Sequence, residues 1–244
     1  MVLPACIITI ALASASAAPA APSFFPVPTS VAFDSSSPTL TLAPDFKVIV
    51  AKGSECDVLT DVAARYTAIL KVGKESSSAV GDTLLHTLVL STSSLNVTLA
   101  PDTSSAYTLT VTASSATVSG ESPFGAMYGA ETFAQLAEGV AFQAVVVKDA
   151  PEFKHRGLTV DGGRRIAPIP LLHSIIDGLS FTKMNVLHLG ITGPAVRVVV
   201  PALPELTSHL EVGQFYTAHD ISGIVEYGAL PSERAALRRR ALRR

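Results

Sequence analysis

One stretch of the chain, residues 153–188, constrains the fold more than any other. It opens with a short apolar run at 155–161 and closes with a second one at 185–189. The residues between them are apolar at three- and four-residue spacing. This spacing indicates a helix that begins near Pro168 and Pro170, where a missing N–H is tolerated. Two strands joined by a helical crossover are almost always parallel and right-handed. The stretch therefore predicts the start of an α/β layer or barrel.

The preceding part of the chain, residues 39–150, switches repeatedly between the two-residue period of strands and the longer period of helices. Strands are predicted at 40–50, 84–90, 95–99, 107–111 and 116–118. Helices are predicted at 57–70, with Asp57 as a cap, and from the Ser122-Pro123 pair to Gly139. The pattern indicates an α+β domain in which an antiparallel sheet packs against two helices.

The motifs of the 153–188 stretch are specific enough to indicate a family. The runs FKHRGLTVDGGRR and KMNVLH resemble the opening of the catalytic barrel of the β-N-acetylhexosaminidases, glycoside hydrolase family 20. In that family the strand reads roughly H-R-G-hydrophobic-D-x-x-R, and K-x-N-x-hydrophobic-H-W-H follows the helix. The run FYTAHDISGIVEYGAL resembles the second barrel helix of the same family. The resemblance implies that residues 151–230 form the first βα units of a TIM (β/α)₈ barrel. A complete barrel usually needs about 250 residues, so an incomplete barrel is expected.

A second motif, YTLTV followed by SPFGAMYGAETFAQL, resembles the closing part of the small amino-terminal domain of the family. The positions that follow the family pattern are Gly125, Gly129, Glu131, Thr132, Phe133, Gln135 and Leu136. Phe124 stands where the family usually has Trp. Because the agreeing positions keep a fixed spacing on a single helix, the match is strong. Their role in the family is structural, and these residues are interpreted as packing beneath the barrel.

One sugar-binding residue is implied by the resemblance. In the family the Arg after D-x-x binds hydroxyls of the terminal sugar, and that position is Arg164. Loops at the carboxyl ends of barrel strands build active sites, and a guanidinium offers several donors in a fixed fork. The alternative is a solvated or structural Arg beside Asp161. Arg156, in the HRG motif, is interpreted as a structural partner of a barrel carboxylate.

No catalytic residue is assigned. Hexosaminidases of this family use the N-acetyl carbonyl of the substrate as nucleophile, with a Glu as general acid/base and a preceding Asp that stabilises the intermediate. No Asp-Glu dipeptide occurs in the chain, which is expected to be inactive alone. Of the family's H-W-H-x-x-D-D run only His188 remains, interpreted as a core or supporting histidine rather than a proton shuttle. His155, His173 and His209 lack metal-like spacing with an acid or Cys, so no metal and no cofactor is expected.

Charge and composition separate the body of the chain from its last residues. The net charge is −2, but residues 231–244 contain six Arg and one Glu, so the rest of the chain is acidic. The Arg-rich tail is interpreted as a solvated end, with binding to anionic surfaces as the alternative. Nothing in the body indicates nucleic-acid binding. The absence of Trp counts against a complete carbohydrate site.

The amino-terminal residues resemble a targeting segment. Residues 1–17, MVLPACIITIALASASA, fit a secretory signal peptide, and the Pro- and Ser-rich residues 18–38 form an extended lead-in. The apolar run is too short to span a bilayer. A secreted or lysosomal/vacuolar protein without a transmembrane segment is therefore expected, with a disordered leader as the alternative. Asn96-Val97-Thr98 is an N-glycosylation sequon, which matters only on that route.

Two functional hypotheses remain open. The first is hydrolysis of terminal N-acetylhexosamine residues in β-N-acetylhexosaminides, the family's activity, to which this chain contributes without catalytic acids of its own. The second is a non-catalytic secreted module or subunit that pairs with a complete hexosaminidase. N-acetylhexosamine-containing glycans, and a full-length hexosaminidase subunit, are the partners that the resemblance implies.

Overall fold

The computed structural model describes residues 23–71, 81–100, 102–139, 141–163, 165–191, 198–211 and 213–229. The strands are β1 (Ser30–Phe33), β2 (Leu40–Val50), β3 (Thr83–Thr92), β4 (Tyr107–Val111), β5 (Ala116–Gly120), β6 (Val145–Asp149), β7 (Gly157–Asp161) and β8 (Val186–Gly190). The helices are α1 (Asp57–Lys71), α2 (Pro123–Leu136), α3 (Ile169–Phe181) and α4 (Ala218–Ala229). Within these ranges, no helix is long and apolar enough to cross a membrane. The predicted signal peptide and Arg-rich tail lie outside them.

The first part of the chain folds as a six-stranded sheet in the order β1-β6-β4-β5-β3-β2. The sequence predicts an antiparallel sheet, but the sheet is mixed, because β3 runs parallel to both β2 and β5. The reason is α1, whose crossover between β2 and β3 returns the chain in the same direction. The predicted lead-in also contains β1, which pairs with β6 at the edge of the sheet.

One core lies between this sheet and the two helices α1 and α2. The sheet contributes buried Leu40, Phe46, Val48, Leu88, Leu90, Leu109, Val118 and Val147, and the helices contribute Leu59, Val62, Tyr66, Ala126, Ala130 and Phe133. The rings of Phe46 and Phe133 stack with their centroids 5.8 Å apart, across the layer from strand to helix. This burial is the main stabilising term of the α+β domain.

Helix α2 begins as the Ser122-Pro123 pair predicts. The hydroxyl of Ser122 accepts a hydrogen bond from the N–H of Gly125 at 3.2 Å, and Pro123 occupies the first turn. Two glycines of the helix are required by close packing. A Cβ at Gly125 would collide with the carbonyl oxygen of Ala106, and one at Gly129 would collide with the side chain of Val118. The helix therefore lies closer to the sheet than any larger residue permits.

The strand predicted at 95–99 is absent, and that segment is irregular. The N–H of Thr98 donates to Asn96 Oδ1 at 2.9 Å, and the N–H of Asn96 donates to Ser94 Oγ at 3.2 Å. Short polar side chains that capture nearby backbone groups in this way compete with a strand ladder. The apolar side chains of Leu95, Val97 and Leu99 are about half exposed as a result.

The second part of the chain consists of two consecutive βα units. Strands β7 and β8 are parallel, α3 connects them, and α4 follows β8. A small core forms around Leu172, Tyr216 and Ile224, and Tyr216 donates its hydroxyl to the carbonyl of Ala167 at 2.6 Å. Helix α3 ends at Phe181, so Met184, which continues the apolar spacing of the helix in the sequence, lies beyond it.

Three cationic side chains join the two parts. Lys183 Nζ donates to the hydroxyls of Thr132 and Tyr107 at 2.7 and 2.8 Å, and lies 3.5 Å from the carboxylate of Asp149. Arg156 Nη2 donates to the hydroxyl of Tyr128, and its guanidinium lies over that ring. Arg65 Nη2 donates to Ser180 Oγ at 2.6 Å.

Candidate functional site

The carboxyl ends of β7 and β8 lie side by side. The register pairs Asp161 with Gly190, and the N–H of Gly162 donates to the carbonyl of Gly190 at 2.8 Å, which extends the pairing one residue past the strand. The N–H of Gly163 then donates to Asp161 Oδ1 at 3.0 Å. This turn directly precedes Arg164, which itself lies outside the described residues. The described residues therefore place the start of the predicted sugar-binding loop at the carboxyl end of the strands.

His188 does not occupy the core position that the sequence suggests as one alternative. His188 is exposed rather than buried in a core, and its Nδ1 lies 3.4 Å from Thr159 Oγ1 on the neighbouring strand. The core alternative for His188 is therefore wrong, and the supporting role stays a prediction. Val160 and Leu189, the next residues along each strand, pack into the small core instead. His188 and Thr159 thus lie on the sheet face that α3 and α4 leave open.

Arg156 has a different partner from the barrel carboxylate that the sequence suggests. Its guanidinium donates to the carbonyls of Phe153 and Lys183 at 2.7 and 2.9 Å and to the hydroxyl of Tyr128. Burial raises the pKa of Tyr128, although the nearby Arg156 charge opposes that rise. Arg156 consequently fixes the start of β7 on α2. It does not lie at the carboxyl end of β7, where the turn before Arg164 is found.

The KMN motif supplies residues whose roles sequence reasoning missed. Lys183 is buried, with 6% of its surface exposed, and adopts φ 58°, a left-handed conformation. Burial lowers the pKa of Lys183, and the Asp149 carboxylate opposes that shift. Asn185 accepts the N–H of Arg156 and donates to the carbonyl of Lys154 at 2.8 Å. The motif was visible in the sequence, but its spacing alone carries no sign of contacts with α2.

The polar residues of the G-x-E-T-x-x-Q motif on α2 each hold a different element. Glu131 accepts the hydroxyl of Tyr66 from α1 at 2.8 Å, and Thr132 accepts the ammonium of Lys183. Gln135 exchanges two hydrogen bonds of 2.8 Å with the backbone of Phe25. The residues interpreted as packing beneath the barrel therefore connect α1, the lead-in and the βα units through one helix.

A cavity of about 530 Å³ lies between the two parts of the chain. Its walls are mainly apolar and come from α1, α2, α3, β8 and α4. Arg65 also lines it, although only 2% of the residue surface is exposed. The sequence could have indicated that Arg65 is buried, because Arg65 follows Val62 at the spacing of the apolar face of α1. The cavity lies on the helix-covered side of β8, and its lining includes neither Asp161 nor Gly163.

Asn96 of the sequon is exposed in the irregular segment, with its Oδ1 accepting the N–H of Thr98. Over the ranges that the structure covers, no three side chains of His, Cys, Asp or Glu come together as a metal site. The predicted assignments of glycosylation at Asn96 and of sugar binding at Arg164 stay predictions.

Comparison with known proteins connects both parts to one family. The model of "Glycosyl hydrolase family 20, domain 2" matches residues 21–150, and that of "Glycosyl hydrolase family 20, catalytic domain" matches residues 153–232. Beta-hexosaminidase subunit alpha of Mus musculus is 33% identical over 133 residues, covering 51% of this chain and 25% of the relative. Beta-hexosaminidase 3 of Arabidopsis thaliana is 29% identical over 177 residues, covering 67% of this chain and 33% of the relative.

Solved structures agree with the sequence relatives. A structure titled "A Glycoside Hydrolase Family 20 beta-N-Acetylglucosaminidase" superposes with a TM-score of 0.62 and 28% identity, covering 86% of this chain and 40% of that one. The chitobiase of Flavobacterium johnsoniae superposes with a TM-score of 0.68 and 24% identity, covering 87% and 33%. The chain thus spans between a quarter and a third of the length of the two curated relatives.

Proposed function

The chain belongs to glycosyl hydrolase family 20, and on that premise we propose that it serves the hydrolysis of terminal, non-reducing N-acetylhexosamine residues of β-N-acetylhexosaminides. Its contribution is the sugar-binding entrance of a TIM (β/α)₈ barrel, of which β7, α3, β8 and α4 are the first two units. The observation that carries the proposal is the turn at Asp161 and Gly163, which begins at the carboxyl end of β7, beside the carboxyl end of β8. Active sites of such barrels are built at that end.

Arg164 is the residue proposed to bind the sugar. It directly follows the Asp161–Gly163 turn in sequence. A guanidinium presents donors in a fixed fork that matches two neighbouring hydroxyl oxygens. Asp161, whose carboxylate is exposed and holds the turn with only one oxygen, supports the start of the loop. The chain alone binds the sugar weakly, because a two-strand rim encloses little of a sugar's surface.

The binding experiment uses N-acetylglucosamine and the isotope-labelled chain. Addition of the sugar is expected to shift the backbone amide resonances of Gly162, Gly163 and Gly190. The shifts are expected to disappear in Arg164→Ala and to persist in Arg165→Ala, the adjacent arginine as matched control. Shifts that survive Arg164→Ala would overturn the role of Arg164. Absence of shifts even at sugar concentrations near the solubility limit would overturn sugar binding by the chain.

The bond-breaking step is expected to need residues that this chain does not contain. No Asp-Glu dipeptide occurs in the sequence, so none of its residues is assigned as the general acid or the stabilising carboxylate of the family mechanism. The purified chain should therefore release no nitrophenol from 4-nitrophenyl N-acetyl-β-D-glucosaminide. Turnover that Arg164→Ala abolishes would show that other carboxylates of the chain perform the reaction and that the chain is an enzyme by itself.

A second candidate function is that of a non-catalytic subunit of a complete hexosaminidase. The observation that favours it is the apolar cavity between the two parts of the chain, whose lining includes the exposed apolar side chains of Leu99, Met184 and Val225. Co-expression with a full-length family 20 enzyme would test it. Co-purification in a fixed ratio would support the subunit role. Separate elution of the two proteins would contradict the subunit role and leave sugar binding as the remaining proposal.

The chain is also proposed to follow the secretory or lysosomal/vacuolar route and to carry a glycan at Asn96. The signal-like residues 1–17 and the exposure of Asn96 support this route. In a secreting eukaryotic host, Thr98→Ala should remove a mass shift that peptide N-glycosidase also removes. Thr98→Ser preserves the sequon and should retain the shift. Identical masses for Thr98→Ala and the wild type would exclude a glycan at this position.

A further inference from the structure

The six-stranded sheet has one face that α1 and α2 cover and one face that points away from them. The residues of the covered face are buried in the core, and they include Val48, Leu88, Leu90, Leu109, Val118 and Val147. Side chains alternate between the two faces of a sheet, so the neighbours of these residues along each strand point away from the helices. Among these neighbours, Ile49 is 43% exposed and Val146 is 37% exposed. The face opposite the helices, called the open face below, therefore presents apolar side chains to solvent.

The strand registers place one residue of each strand in a single row across the open face. From β2 at one edge to β1 at the other, the row consists of Ile49, Val89, Thr117, Thr110, Val146 and Ala32. Each residue in the row is the Cα partner of the next one. Two apolar residues lie at each end of the row, and two threonines lie at its centre. The polarity of the row is therefore the same when it is followed from either edge of the sheet.

A row with this pattern is complementary to a second copy of itself. In a twofold symmetric dimer both chains use the same surface, and residue i of one copy meets residue j of the other. A twofold axis parallel to the strands, between β4 and β5, would bring Val89 of one copy over Val146 of the second copy. Thr110 and Thr117 would meet at the centre, where a hydroxyl can both donate and accept a hydrogen bond. Sheets that pack face to face with nearly aligned strands form interfaces of this kind.

Two charged residues beside the row favour the same axis. Lys47 precedes Ile49 by two residues on β2, Asp34 follows Ala32 by two residues after β1, and both are exposed. The N–H of Asp34 donates to the carbonyl of Ala144 at 2.9 Å, which continues the β1–β6 pairing to this position. Both charges therefore lie on the same side of the row, at opposite edges of the sheet. An axis parallel to the strands brings Lys47 of each copy to Asp34 of the other, whereas an axis perpendicular to the strands forms neither pair.

We propose that the open face is the interface of a dimer of this chain, with a twofold axis parallel to the strands. The face spans six strands about 4.8 Å apart and about three rows of side chains, so two such faces bury roughly 1,000 Å² in total. This area lies near the lower limit for a specific interface, so a weak dimer is expected, with a dissociation constant in the micromolar range. The βα units contact α1 and α2 on the other side of the sheet. The dimer is therefore independent of sugar binding.

Sedimentation equilibrium of the full-length chain measures this association. As the concentration rises through the micromolar range, we expect the mean mass to increase from that of one chain toward that of two. Val146→Asp should weaken the association at least about 10-fold, because an unpaired charge is costly at the core of an interface. Val225→Asp changes another exposed valine, on α4 and outside the sheet, and as the matched control it should leave the association unchanged. A monomer at every concentration, or equal effects of Val146→Asp and Val225→Asp, would overturn the proposal.

Charge reversal tests the orientation of the two copies and does not depend on the folding of Val146→Asp. Lys47→Glu or Asp34→Lys alone should weaken the association at least about 5-fold, because the symmetry turns two attractive contacts into two repulsive ones. The double variant Lys47→Glu/Asp34→Lys exchanges the charges and should restore the association to nearly that of the wild type. A double variant that associates as weakly as the two single variants would overturn the axis parallel to the strands.

Discussion

The ammonium group of Lys183 reaches from the turn before β8 into helix α2, where it donates to Thr132 Oγ1 at 2.7 Å. The same group donates to Tyr107 on β4 and approaches Asp149 at the end of β6. A single side chain thus joins the helix, the sheet and the βα units. The position of β8, and with it the rim that precedes Arg164, depends on this contact.

Replacement of Lys183 by Met should therefore destabilise the chain as a whole. The variant leaves the hydroxyls of Tyr107 and Thr132 without their charged donor, and hydrogen bonds to charged groups contribute about 1.5–3 kcal/mol. We expect the free energy of unfolding in urea to fall by about 2–3 kcal/mol. Lys154→Met, which changes an exposed lysine nearby, is the control and should stay within about 0.5 kcal/mol of the wild type. Equal free energies of unfolding for the two variants would show that the buried contact makes no net contribution to stability.

The backbone of Lys183 allows a second, finer comparison. Its φ of 58° is left-handed, a conformation that costs roughly 1–2 kcal/mol in residues with a Cβ and little in glycine. Lys183→Ala and Lys183→Gly both delete the ammonium group, but only the glycine removes the backbone strain. We expect the glycine variant to be the more stable of the two by about 1 kcal/mol in the same denaturation experiment. The reverse order would mean that the turn adopts another backbone conformation in solution.

Close packing of α2 on the sheet predicts a different response at two glycines. Gly129→Ala places a methyl group against Val118 and within 3.0 Å of the Tyr107 ring, and overpacking of this kind costs about 1–3 kcal/mol. Gly223→Ala in α4 meets no atom within 4 Å and should stabilise its helix by up to about 1 kcal/mol. Thermal unfolding of both variants checks the pair. A stabilised Gly129→Ala variant would contradict the observed helix–sheet distance.

The buried tyrosines predict a loss of stability in alkali. Burial raises the pKa of Tyr107 and of Tyr128 above the ordinary value of 10.0. Above pH 10 the unfolded chain loses these protons while the folded chain keeps them, so the free energy of unfolding falls as the pH rises. Lys183 acts in the opposite direction, because burial lowers its pKa below 10.5 and the unfolded chain binds that proton more tightly.

Urea titrations between pH 8 and pH 11 measure this dependence. We expect a steady fall above pH 10, with a smaller slope in Tyr128→Phe, which removes one of the shifted tyrosine protons without removing the ring. Tyr227→Phe, at a residue whose hydroxyl contacts Asp177 rather than the Lys183 cluster, is the comparison variant. A slope in Tyr128→Phe equal to that of the wild type would show that the Tyr128 hydroxyl does not contribute to the pH dependence.

Local patterns in the sequence determined most of the secondary structure. The alternation at 107–118 predicted the β4–β5 hairpin, and the Ser122-Pro123 pair predicted the start of α2. Two apolar runs joined by a helix predicted the parallel pair of β7 and β8. In each case the signal lies within a few residues, and the structure that it specifies is also local.

Properties that depend on distant residues were not predictable in this way. The direction of β3 follows from the crossover through α1, whereas an alternating strand has the same pattern in either direction. The role of Lys183 depends on Thr132, a residue 51 positions away in the chain. The HRG motif suggests a barrel carboxylate as the partner of Arg156, yet the contacts of Arg156 are carbonyls and the Tyr128 hydroxyl. Sequence spacing does not specify which polar groups a fold brings together.

The pairing of β6 with both β1 and β4 has a consequence for synthesis. The ribosome must synthesise the chain past Asp149 before the six-stranded sheet can be completed. The reason is that β6, which lies between the edge strand β1 and the β4–β5 hairpin, is the last strand of the sheet to be synthesised. The acceptors for Lys183 on β4, α2 and β6 therefore all exist before that lysine leaves the exit tunnel. The order of synthesis therefore allows the sheet and α2 to fold first and to provide the surface on which the βα units pack.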